Sequence, residues 1–266
     1  MSLKKILVRV IVGAALASGF GVAVIIGGSV FTLALMLFII GAQWEFYGLG
    51  QSAGQRPYRF TGMAGALLFM IYVHYRGLDQ GALLLLTGVV FAVLGVHPFL
   101  AGAESRDWKD AALSVVGFLY TALPGAMGIH IRQTMGMWIT FFLFACIWSF
   151  DIFAFFTGKI FGKHRIFPRI SPSKTWEGLI GGLVFAVIAG LVLNIFVGWS
   201  PVKAGVLAGV ISLVGHLGDF FESAVKRDVG VKDSSALLPG HGGILDRIDA
   251  LLFATPAFYM IMLLWK

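Results

Sequence analysis

Residues 136–157 read GMWITFFLFACIWSFDIFAFFT, 22 residues with one charge, Asp151, near the end. A soluble helix of this length needs a polar face, and this run has none. A bilayer core about 30 Å thick is crossed by about 20 apolar residues in a helix, so the stretch reads as a membrane span. Outward from it, eight more runs approach that length: 6–26, 28–48, 61–76 (the shortest), 80–98, 110–130, 174–198, 201–225 and 248–265. Charged residues make up 12% of the 266-residue chain, against about 25% in a soluble domain, which excludes a soluble core. The expected fold class is therefore an all-α, polytopic transmembrane helix bundle of about nine helices. The 35 glycines suit that class, because small residues let membrane helices approach closely. The first run follows Lys4 and Lys5 and contains ALASG, as a signal peptide would, but a second apolar run begins directly after GGS. It reads as the first arm of a hairpin.

The net charge of +7 does not by itself point to nucleic acid; in a membrane protein the positions of the charges matter more than their sum. With the N-terminus inside, sixteen of the twenty Lys and Arg residues fall on the inner side, and only Arg76, Arg132, Lys203 and Lys266 fall outside. That asymmetry sets the expected orientation as N-terminus in and C-terminus out. The two longest inner loops are then 158–173 and 226–247. Residues 1–130 read as N-terminal and middle membrane helices, and 131–266 as a catalytic membrane region with two cytosolic loops. The single cysteine, Cys146, lies in FFLFACIW and reads as packing.

The polar residues that interrupt this pattern are the candidates for chemistry. Asp151 lies about 22 Å along a helix that starts near 136, a depth at which a carboxylate is costly and usually functional. Asp219 lies about 27 Å along the helix that starts near 201, deeper than any Lys or Arg near it. Glu222, Ser223, Lys226 and Arg227 follow at helical spacings and share its face. Glu222 with Lys226 reads as an i,i+4 ion pair at the membrane rim, worth about 0–1 kcal/mol. Asp246 and Asp249 stand three apart on the opening turn of the last helix. The helix dipole favours acids there, and such acids also serve as hard oxygen ligands for Mg²⁺. Between the two groups, PGHGG at 239–243 frees the backbone to form a nest of N–H groups for an anion, or forms a simple turn.

The inner loop 158–178, GKIFGKHRIFPRISPSKTWEG, ends on a denser signal. Ser171 before Pro172 reads as the N-cap and first residue of the next helix. Ser173, Lys174 and Thr175 then decorate a helix N-terminus, which is a ready anion site. Gly178 and Gly182 form a GxxxG pair suited to close helix packing.

The run SAVKRDVGVKDSSALLPGHGGILDRID, residues 223–249, resembles the signature of the phosphatidate cytidylyltransferase (CDP-diacylglycerol synthase) family. Ser223, Lys226, Arg227, Lys232, Asp233, Pro239, His241, Gly242, Gly243, Asp246, Arg247 and Asp249 occupy every fixed position of that pattern. The blocks DIFAFFTGKIFGKHRI and SPSKTWEG are similar to the family's nucleotide-side loops, so the resemblance covers about residues 151–249. It implies an enzyme that joins CTP to phosphatidic acid with Mg²⁺, giving CDP-diacylglycerol and pyrophosphate for phospholipid synthesis. It further implies a multi-pass protein of the inner (plasma) membrane with its site facing the cytosol. On this resemblance Asp219, Lys226, Arg227, Asp246 and His241 are catalytic. Asp219, Asp246 and Asp249 hold the metal, and a second cation can share the site. Asp151, Ser171, Lys174, Thr175, Glu177, Ser223, Gly242, Gly243 and Arg247 bind substrate. The expected partners are CTP, phosphatidic acid and the lipid bilayer, with no nucleic acid. A homodimer through the small face Gly13, Ala17 and Gly21 is open, as is internal packing of that face. A cation-coupled transporter would show inverted repeats, which are not visible. A CDP-alcohol phosphotransferase would carry DGxxAR, which is absent.

Overall fold

The computed structural model describes residues 3–104, 107–238 and 242–265. Each of the nine apolar runs becomes a helix there: α1 Leu3–Ile26, α2 Gly28–Ser52, α3 Arg59–Arg76, α4 Gln80–Glu104, α5 Trp108–Thr134, α6 Met137–Phe161, α7 Trp176–Val197, α8 Pro201–Asp228 and α9 Leu245–Leu264. Seven of them, α2 and α4 to α9, are long and apolar enough to cross a membrane. The chain is thus an all-α polytopic membrane protein. By that measure α3 falls short, at 18 residues with an arginine at each end, as does the described apolar stretch of α1, Val12–Ile26.

The chain forms two compact units, residues 1–133 with 229–248, and residues 134–228 with 249–266. In the first, Tyr47 on α2 is fully buried. Its hydroxyl donates to Ser114 O (2.8 Å) and accepts from Gln43 Nε2 (2.9 Å). A Cβ at Gly62 on α3 or Gly117 on α5 would strike the Tyr47 ring or hydroxyl, so those glycines make its slot. Arg132, near the end of α5, donates to the carbonyls of Val24 and Ile25 at 2.6 and 3.2 Å. It thereby satisfies the last turn of α1, whose carbonyls have no intrahelical partner.

In the second unit α6 and α7 touch backbone to backbone. A Cβ at Gly178 would lie 2.7 Å from Ala154 O, and one at Gly182 would lie 2.8 Å from Phe150 O. The GxxxG pair therefore packs against α6, as its spacing predicts. The segment between them forms a β-hairpin, β1 Arg165–Phe167 and β2 Ser171–Thr175, antiparallel, with Arg165 opposite Thr175 and Phe167 opposite Ser171. This corrects the expected helix start. Ser171 is not an N-cap: the extended backbone that a cap would have runs on through Thr175, because 171–175 pairs with 165–167. The cap is Thr175, whose side chain accepts from Gly178 N at 3.1 Å.

Candidate active site

Three elements of the second unit bring acids and a base together. From α8 come His216 and Asp219, three residues apart and so on one face. Asp151 comes from α6 and Lys174 from β2. Asp151, His216 and Asp219 each offer a ligand atom within 4.8 Å of the others; among the described residues this is the one such group of three. The Lys174 Nζ lies 2.5 Å from Asp219 Oδ2 and 4.1 Å from the centre of the Phe220 ring. Ser223 Oγ donates to Asp219 Oδ1 at 3.4 Å. Asp249, on α9, is buried and lies within Coulombic reach of Asp219, Glu222 and Asp151. Gly218 allows that approach, since a Cβ there would lie 2.6 Å from Asp249 O.

The charge balance of this cluster is negative. Asp151, Asp219, Glu222 and Asp249 face Lys174 and Lys226, and like charges this close in a medium of low dielectric repel strongly. Lys226 pairs with Glu222 one turn away, as the spacing predicts, but not as an exposed pair. Glu222 is 2% exposed and Lys226 8%, so the pair is a buried one. Arg227, exposed on the same helix, donates from Nε to Ile170 O (3.3 Å), next to Ser171. Glu177 accepts from the backbone N–H groups of Lys163 and His164 at 3.1 and 3.3 Å and meets His164 Nδ1 at 2.6 Å. It latches the loop after α6, and Ser171 beyond it is buried.

The other predicted residues lie in the first unit. Asp246 Oδ2 accepts from Gly243 N (2.7 Å) and Ser234 N (3.1 Å), and lies 3.1 Å from Ser234 Oγ, whose single proton it shares with Glu45. It thus holds the turn that opens α9. Gly242 has φ of 79°, a left-handed backbone that suits glycine. A Cβ at Gly243 would run into Ser234 Oγ and the Glu45 carboxylate. Arg247 is exposed on the first turn of α9. His241 and its neighbours Pro239 and Gly240 lie outside the described residues.

Two residues escape the sequence reading. Glu45 on α2 is buried and accepts four hydrogen bonds: from Ser235 Oγ (2.6 Å) and Ile244 N (3.0 Å) on Oε1, and from Ser234 Oγ (2.9 Å) and Leu245 N (2.7 Å) on Oε2. It ties Ser234, Ser235 and the start of α9 to α2. The depth rule that marks Asp151 marks Glu45 too, since it is an acid inside an apolar run. His216 is the second; its signal is the spacing of three from Asp219.

The chain matches the cytidylyltransferase family over residues 7–265. It is 37% identical over 241 residues to the phosphatidate cytidylyltransferase of Brucella abortus biovar 1 (strain 9-941), covering 88% of this chain and 84% of that protein. A phosphatidate cytidylyltransferase of Staphylococcus aureus (strain COL) is 40% identical over 160 residues, 59% of this chain and 61% of that protein.

Proposed function

The chain belongs to the cytidylyltransferase family, and on that premise we propose that the Asp151–Asp219–Asp249 cluster with Lys174 is where it joins CTP to phosphatidic acid. The products are CDP-diacylglycerol and pyrophosphate. An oxygen of the lipid phosphate attacks the α-phosphorus of CTP, the bond from that phosphorus to the bridging oxygen breaks, and pyrophosphate leaves with the electron pair. The nucleophile is already an anion, so no strong base is needed. The difficulty lies in bringing two polyanions together, and positioning with cations meets it.

The Lys174–Asp219 ion pair beside Asp151 carries the assignment. Lys174 reaches the cluster from the strand that leads into α7, so its ammonium can hold a phosphate oxygen while Asp219 keeps it oriented. Arg227, Ser223 and the Thr175 end of α7 border the same region from α8 and the hairpin, and suit the remaining phosphates. The excess of carboxylates over lysines, all oxygen donors, fits Mg²⁺, with Asp219, Asp249 and Asp151 as the residues that would hold it. When bound, that ion neutralises phosphate charge and stabilises the leaving pyrophosphate. Asp246 and Gly243, pinned through Ser234, hold the N-terminal turn of α9 that leads to Asp249.

The proposal places the site on the cytosolic face of the inner membrane, supported by the sixteen-to-four bias in basic residues. The lipid enters sideways with its acyl chains in the bilayer. Open space beside Gly21 on α1 leaves its small-residue face available to a second copy.

The test is formation of CDP-diacylglycerol by purified protein across a Mg²⁺ titration. Wild type should require CTP, phosphatidic acid and Mg²⁺ together. Asp219→Asn should lose most turnover while still inserting, because neutral Asn removes a ligand and also relieves repulsion. Near-normal turnover with an unchanged Mg²⁺ requirement in Asp219→Asn would make that acid structural.

A further inference from the structure

We propose that Arg59, stacked on Trp44 in the first unit, binds the phosphate of an anionic phospholipid in the leaflet beside the 53–58 loop, which the bias in basic residues makes the cytosolic one. Arg59 opens α3, and its Cζ lies 4.4 Å from the centre of the Trp44 ring on α2. One turn on from Trp44, a Cβ at Gly48 would lie 3.5 Å from an Arg59 NH₂ group, so the side chain lies along one face of α2. The positive-inside rule accounts for an arginine at this end of the helix. It does not account for how the head is held. Nε is sealed from solvent without a hydrogen-bond partner, while the two NH₂ groups are not sealed. Among the described residues no carboxylate or carbonyl accepts from the guanidinium. Glu45, beside Trp44, is occupied by four hydrogen bonds of its own. The ring face attracts the charge but supplies no lone pair to the five N–H donors.

Position selects the ligand. Trp44 stands eight residues before Ser52, the end of α2, which is about 12 Å back along the helix from the loop. Arg59 therefore does not extend from the loop into water; it reaches back toward the bilayer. Trp44 and Phe60 are exposed, and an exposed tryptophan on a membrane helix marks the headgroup level. The group at that level with oxygens for a planar fork is the lipid phosphate, which a guanidinium takes through two parallel N–H···O bonds. Stacking already holds the guanidinium in place, so little further ordering is needed on binding. With no acid paired to it, its charge selects a lipid of net negative charge over a zwitterionic one.

Phosphatidylglycerol is the probe, because it is anionic and has no phosphomonoester to react with CTP. Native mass spectrometry of the detergent-solubilised full chain, across a titration of this lipid, reads each bound molecule. The tightest site should weaken about 10- to 100-fold in Arg59→Gln. It should weaken less in Arg59→Lys, which keeps the charge without the fork, and several-fold in Trp44→Leu, which removes the platform. Lys109→Gln, which removes an exposed cation elsewhere in the same unit, should leave it unchanged. Phosphatidylcholine with the same acyl chains should bind weakly and without regard to Arg59, and millimolar inorganic phosphate should not displace the lipid. Equal phosphatidylglycerol affinity in wild type and Arg59→Gln would overturn the proposal. So would displacement by inorganic phosphate, which would make this a site for a free anion. If Arg59→Gln does not fold, Arg59→Lys and Trp44→Leu decide, and wild-type affinity in both sinks the proposal.

Discussion

Replacing Glu45 by Gln tests whether the turn that opens α9 is held from α2. Each carboxylate oxygen accepts one serine hydroxyl and one backbone N–H, Ser235 with Ile244 and Ser234 with Leu245. Gln keeps one oxygen and turns an NH₂ group toward the other pair. The serine there can rotate and accept, but the backbone N–H cannot. One buried donor is therefore left without an acceptor, at a cost of about 1–3 kcal/mol. If that cost appears as local opening of the turn, amide protection at Ile244 or Leu245 falls by about 5- to 150-fold. Hydrogen exchange followed by mass spectrometry on peptides covering 242–250 reads this directly, with Tyr47 peptides as the internal reference. Turnover should fall with it, because the same turn carries Gly243 and Asp246. Unchanged protection across 242–250 in Glu45→Gln would refute the claim that the carboxylate holds the turn.

The buried Glu222–Lys226 pair gives a second prediction. Lys226→Ala leaves a buried carboxylate uncompensated and should cost about 3–5 kcal/mol, while Glu222→Gln with Lys226→Met should recover most of it. Thermal unfolding in detergent decides, and additive losses would mean the two do not act as a pair. Arg227→Ala should cut turnover far more than Lys159→Ala or Lys163→Ala, and equal losses would mean the phosphate site is misplaced. Cysteines at Ser173 and Ala236, both exposed, in a Cys146→Ala background should be labelled only from the cytosol in intact cells; Ser235 is unsuitable because its hydroxyl holds Glu45. Finally, the Ala82 N–H (2.9 Å) holds the Asp79 carboxyl below the usual carboxylate range. Its folded pKa is lowered, so its contribution is complete above about pH 3.9 and lost as pH falls through the folded value. The Tm difference between wild type and Asp79→Asn should shrink across that acid window.

The helices are legible because the bilayer imposes one simple demand, length without charge; the run at 136–157 becomes Met137–Phe161. The hairpin is not legible, because Ser-Pro-Ser carries the same letters as a helix start and only pairing with 165–167 selects the strand. Asp151 and Asp219 stand out by depth, and the structure brings them together with Asp249. The burial of Glu222 is missed because position along a helix gives depth but not which neighbours cover it. Glu45 is legible in principle but mute as to purpose, since its partners lie 189–200 residues away. No local pattern encodes that separation.

That separation also sets a timetable. Glu45 leaves the ribosome 189–200 residues ahead of the serines and amides that satisfy it. At about 5–20 residues per second, the gap is on the order of 10–40 s. During that interval α2 carries an acid whose hydrogen-bond donors do not yet exist, so it must wait near the lipid headgroups or in the care of the insertion machinery. The first unit therefore waits for Val229–Ile248, which follow the 134–228 segment of the second unit. A chain stalled before Ser234 would hold most of its helices while its second helix remained marked as unfinished.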